Sequence, residues 1–211
     1  HPLDRPLYLE WINRMRSYLT LGLPATDLEG AKNSDRRVPK NLAMLAAEDM
    51  LLEAGVRLFY HHTAFDVVRK GDLIDAVVFH TKSGLVAIRA KMVIDSAVLA
   101  GCDFELGNAD GYCQPMTLCF KLSGVDTARM PARSEINRLY NEAKARGEID
   151  CLREDVLMFD DFEPDVIHFN TTRIVKHNAV DAADLSDAEI LGRKQLRQYL
   201  AFLRSRVPGF E

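Results

Sequence analysis

Two stretches place polar side chains where an apolar strand pattern meets its edge, which is where a substrate would be held. They are Gln114-Pro115-Met116-Thr117 and Asn170-Thr171-Thr172-Arg173. On Gln114, Asn170 and Arg173 the amides and the guanidinium are able to orient an anionic or hydroxylated small molecule. The plainer alternative is strand-edge hydrogen bonding and a surface arginine, because buried polar groups have mostly structural partners. His168 lies in the second of these strand patterns and is the candidate acid or base, since histidine exchanges protons near neutral pH. Packing or simple exposure is its alternative. Asp95-Ser96 closes a short apolar run, where small residues let the backbone come close to a nucleotide phosphate or ribose; the alternative there is a strand closing into a loop.

Other constellations are excluded by spacing. His61 and His62 are neighbours in a strand pattern, so their side chains point to opposite faces and cannot share one metal. No Ser-His-Asp or Cys-His arrangement and no calcium-loop spacing occurs. The cysteines, Cys102, Cys113, Cys119 and Cys151, form no C-x-x-C pair and have no histidine at ligand spacing. Free thiols in a reducing compartment follow, with the cytoplasm as the default location.

Positioning these groups falls to an alternation of helices and short strands. Residues 39–97 hold an amphipathic helix with Met44, Ala47, Met50, Leu51 and Ala54 on its buried face, ended by Gly55. A strand is expected at VRLFYH, then a hairpin about Lys70-Gly71-Asp72 and a turn at Lys82-Ser83-Gly84. Met92-Val93-Ile94-Asp95 has the continuous apolar look of a strand buried on both faces. Upstream, Leu7 to Leu21 forms a helix with Leu7, Trp11, Met15, Tyr18 and Leu19 inward, and Ala25 to Arg37 is a loop or linker.

Downstream, Asn108-Ala109-Asp110-Gly111 reads as a turn, and Met116, Leu118, Phe120 and Leu122 alternate with polar residues as a half-buried strand does. A helix is expected over Ser134 to Arg146, with Ile136, Leu139, Tyr140 and Ala143 inward and Gly147 as its stop. The acidic run Asp160-Asp161-Phe162-Glu163 is expected to face water, and Val166 to Ile174 to form a strand. Ser186-Asp187-Ala188-Glu189 has the form of a capping box opening a last helix, buried through Leu196, Tyr199, Leu200, Leu203 and Val207.

The runs LLEAGVRLFYHHTAFDVV, KSGLVAIRAKMVIDSA and FELGNADGYCQPMTLCFKLSGVD, continued by IHFNTTRI and FLRSRVPGFE, resemble FAD-dependent oxidoreductases of the two-dinucleotide-binding-domain flavoprotein type. The resemblance covers most of the chain after Pro39. It implies part of a Rossmann-like FAD-binding lobe with a β-meander, plus a substrate-domain sheet covered by helices, a mixed α/β class. It also implies FAD as cofactor, hydride transfer between an organic substrate and the flavin, and Phe65, Asp95 and Ser96 near the nucleotide, Phe65 through its backbone. The family's opening G-x-G-x-x-G turn, which cradles pyrophosphate at a helix N-terminus, is not among the residues, nor is the segment expected between Asp95-Ser96 and Gly101. With His1 in first place, a fragment, or a chain lacking internal segments, is expected, and one that alone holds FAD poorly and is inactive.

Composition sets the outer bounds. Of 211 residues, 47% are hydrophobic and 27% charged, values ordinary for a folded protein in water. A net charge of -4 argues against nucleic acid, and no apolar run is long enough to span a bilayer. Expected parts are an N-terminal helix and linker at 1–38, a partial FAD-binding-type lobe at 39–101 and a substrate-domain portion at 102–211. The expected partner is a small-molecule substrate; a homo-oligomer stays open. Two other functions remain beside the redox one: a flavin-free binding or oligomerisation module, and a non-redox lyase or hydrolase built on His168.

Overall fold

A computed structural model of the chain describes residues 5–18, 40–94, 103–161 and 163–211. It is a mixed α/β structure, and the described residues cluster into two compact units, one made of α1 and residues 41–105 and the other of residues 106–211.

In the first unit, α1 (Arg5–Ser17) buries Leu9, Ile12 and Met15, which recur at helical spacing. This face is rotated from the expected one, for Leu7 is exposed. The helix is shorter too, and Leu19 to Leu21 lie outside the described residues. Trp11 donates its indole N–H to the Ala43 carbonyl at 2.9 Å, and Arg14 pairs with Glu53 at 2.5 Å, which fastens α1 to α2 (Lys40–Glu53). On α2 only Ala46 is buried, while Met44 is 61% exposed and Leu51 is also exposed. Of the expected inward face, Ala47 and Met50 are half-buried and Met44, Leu51 and Ala54 are exposed. Gly55 does stop α2: at φ +76° it lets its own N–H and that of Val56 reach the Leu52 and Leu51 carbonyls.

The strand expected at VRLFYH does not form. His61 sits at φ +57°, outside the extended region, and strand pairing starts only at Thr63. From there β1 (Thr63–Lys70), β2 (Leu73–Thr81) and β3 (Gly84–Ile88) make an antiparallel meander in that order. Its two turns are the expected ones, and Gly71 at φ +62° supplies the left-handed conformation of the first. Met92 to Ile94 do not form the buried strand either. Met92 is 77% and Ile94 92% exposed, and no described strand lies alongside to complete a ladder.

The second unit closes around a sheet ordered β4-β6-β5, all antiparallel: β4 (Phe120–Leu122), β6 (Ile167–Phe169) and β5 (Met158–Asp160). Two helices pack on it. α3 (Arg133–Ala145) buries Ile136, Tyr140 and Ala143 as its period foretells, and Gly147 at φ +75° follows it. α4 (Ala182–Arg206) adds Tyr199, Phe202 and Leu203 to the same core, with Val207 and Phe210 beyond its end.

Both long strand expectations shrink here for one reason. Met116 still bridges Ile174, but the N–H and carbonyl of Leu118 go to the Thr172 hydroxyl at 2.8 and 3.2 Å, so a side chain interrupts the backbone ladder. The capping box is also corrected. α4 begins earlier, at an Asp181 N-cap whose carboxylate accepts from the N–H groups of Ala183 and Asp184, and Ser186 turns back to the Ala182 carbonyl. Within the acidic run, Asp161 is held against Lys121 at 2.5 Å rather than facing water. Among the described residues no helix is long and apolar enough to cross a membrane.

Candidate functional site

The second unit carries a cleft of about 180 Å³ between α4, the segment after β6 and residues 150–152. Its lining is apolar at Leu152, Ile174, Val175 and Leu191 and charged at Arg173, Lys194 and Asp150. Each wall is tied by backbone contacts. Gln195 accepts from the Arg173 N–H at 2.9 Å and donates to the Arg173 carbonyl at 3.1 Å, a two-point clamp on the residue that bears the guanidinium. Gln198 accepts from the Asp150 N–H at 3.2 Å, and the Cys151 thiol lies 3.8 Å from the Thr171 carbonyl.

The same unit holds a buried polar network. The Tyr199 and Tyr140 rings stack with centroids 5.5 Å apart. Tyr140 donates to the Arg153 carbonyl at 3.0 Å, which leaves the Tyr199 proton for the Tyr140 oxygen at 2.8 Å or the Thr171 carbonyl at 3.1 Å. Burial pushes both phenols well above their ordinary value. Neutral at any physiological pH and shut off from solvent, they hold the Thr171 backbone in place and so the base of Arg173.

A second hollow, of about 240 Å³, shares Ile174 and is walled by Met116, Leu118, Leu185 and Ala188. α4 comes this close because residue 192 is glycine, since a Cβ there would stand 3.1 Å from the Leu118 Cβ.

The sequence candidates divide among these places. Arg173 lines the first cleft, with its guanidinium 3.3 Å from the Glu154 carboxylate. Asn170 is half-buried at the end of β6, donating its backbone N–H to Leu157 at 2.9 Å, and Gln114 is exposed two residues before Met116. Neither lines the cleft. His168 is in the middle strand, half-buried, opposite Lys121 and Phe159 in the ladder and on the other face from Ile167 and Phe169. Phe65 is an exposed residue of β1 in the first unit. Asp95 and Ser96 lie outside the described residues.

Lys194, Gln195, Leu152 and Leu191 were not singled out by the sequence. A faint signal existed: Leu191 and Gln195 are one turn apart beside the stripe that begins at Leu196. His177 was likewise passed over. Its Nδ1 is buried 3.4 Å from Asp184, whose other oxygen accepts from the Asn178 N–H at 2.8 Å.

A family model described as FAD dependent oxidoreductase matches residues 3–211. The chain belongs to this family. No curated protein and no solved structure matches it. For an FAD dependent oxidoreductase the described residues nonetheless offer no flavin cradle. Both described sheets are antiparallel, and neither α2 nor α4 starts from a glycine-rich turn that would bring N–H groups to a pyrophosphate. The two hollows of the second unit are also smaller than the roughly 300 Å³ at which larger-ligand pockets begin.

Proposed function

We propose that the chain is part of an oxidoreductase that moves a hydride between a small organic substrate and FAD, and that residues 102–211 form its substrate side. The family match over residues 3–211 carries this reading. In it, residues 39–101 are a partial flavin-binding lobe in which Phe65, Asp95 and Ser96 lie near the nucleotide, and 1–38 a helix and linker. Arg173, with Asn170 and Gln114 further along the same two segments, orients the substrate. What supports Arg173 is its place: a residue on a clamped backbone that lines a cleft beside apolar side chains. The free thiols of Cys113, Cys119 and Cys151 go with a cytoplasmic location.

The test is the visible spectrum of the natural protein that contains this chain, purified, incubated with FAD and desalted. Flavin bands that bleach anaerobically with substrate are expected, together with an Arg173→Ala variant whose KM rises more than its kcat falls. A colourless protein that still unfolds cooperatively would overturn the redox reading in favour of a flavin-free binding module.

A further inference from the structure

The cleft at Arg173 combines two features that select one ligand chemistry. Its lining is apolar at Leu152, Ile174, Val175 and Leu191, of which Leu152 and Leu191 are open to solvent, and carries two cations, Arg173 and Lys194, together with the Asp150 carboxylate. Neither cation is firmly committed elsewhere. Arg173 is 3.3 Å from Glu154 and Lys194 3.4 Å from Asp150, and those carboxylates are 79% and 80% exposed. Exposed pairs of this kind are worth little, because water and salt screen them and two long side chains must be held in one geometry. An entering carboxylate can therefore displace them at small cost. Unlike Glu154 and Asp150, such a ligand would also lay a hydrocarbon tail against the apolar lining.

We infer that this cleft is a binding site for a monocarboxylate with a short aliphatic tail, its carboxylate held by Arg173 and Lys194 and its tail by Leu152, Ile174, Val175 and Leu191. The clamp by Gln195 explains how the site keeps its shape: it fixes the Arg173 backbone to the same helix that carries Lys194, one residue away. A volume of about 180 Å³ suits a small acid and is too small for a dinucleotide. Only in calling the ligand a substrate does this rest on the oxidoreductase reading.

The experiment titrates the natural protein that contains this chain, with no FAD added, with acetate, butyrate, hexanoate and hexylamine, following the methyl signals of Leu152 and Leu191 by NMR. Each buried methylene should tighten binding about fourfold, so hexanoate is expected to bind at least tenfold more tightly than acetate, with hexylamine leaving the methyls unmoved. Arg173→Gln should weaken hexanoate about tenfold. Asp150→Asn and Glu154→Gln, which remove the competing carboxylates, should tighten it, a gain that misfolding cannot imitate. Equal binding of acetate and hexanoate, equal binding of hexylamine, or no gain in the Asp150→Asn and Glu154→Gln variants overturns the assignment. Because no flavin enters the titration, its failure leaves the spectral test of the redox reading intact. A colourless natural protein, conversely, would leave a carboxylate site without redox chemistry.

Discussion

Gln195 shows how much can hang on one amide. It is half-buried and meets both backbone groups of Arg173, so Gln195→Ala leaves an N–H and a carbonyl to find other partners. A loss of about 1–2 kcal/mol is expected in urea unfolding, with weaker carboxylate binding even though no binding group is removed. Tyr199 makes a comparable case deeper in the unit. Its folded form stays neutral far above the ordinary phenol value of 10.0, because burial disfavours the charge. In the unfolded chain the phenol ionises near that value. The stability due to the neutral phenol is thus fully present below about pH 10 and is lost as pH rises above it. The Tyr199→Phe variant should be less stable by about 1 kcal/mol at pH 7 and show a shallower fall in stability between pH 10 and 11, read from denaturant midpoints across pH.

Elements are decided by which local signal wins. The start expected for α4 was the Ser186 box, and the structure uses Asp181 instead, because its carboxylate reaches two first-turn N–H groups at 3.0 and 2.9 Å. Thermal or urea unfolding separates the two. Asp181→Ala should cost about 1 kcal/mol, and Ser186→Ala nearly nothing, since Ser186 now bonds back inside a helix. α3 needed no such choice: its period and its glycine stop agree, and it forms as read. The hairpins at Gly71 and Gly84 also form as read, because a turn is specified by residues that adjoin in sequence. Longer strands were less legible. Nothing in MTLCFKL announces that the Thr172 hydroxyl will intercept the Leu118 backbone from 54 residues away.

At the scale of the molecule the chain end closes the second unit. Gly209 accepts from the Asp126 N–H at 2.9 Å and sits at φ +94°, and a Cβ there would stand 2.5 Å from the Asp126 carbonyl oxygen. Gly209→Ala should cost about 2 kcal/mol or more in unfolding experiments, since both the conformation and the backbone contact resist a side chain. Phe210, next in line, packs its ring against Phe169 of the central strand, so the loss should spread into the core.

The sequence alone determined the turns at Gly71 and Gly84 and α3, which rest on periods and motifs local in the chain, while the mixed α/β class and the family came from the resemblance of long runs to a known family. It also marked Arg173 from its place beside an apolar run. Only tertiary structure decided that Arg173 shares a cleft with Lys194 and Leu152 while Asn170 and Gln114 do not, and that Met44, Met92 and Ile94 are exposed despite their apolar patterns. The physical reason is the same in each instance. A pattern states which face of an element is apolar, but burial and the meeting of side chains depend on what another part of the chain lays against that face.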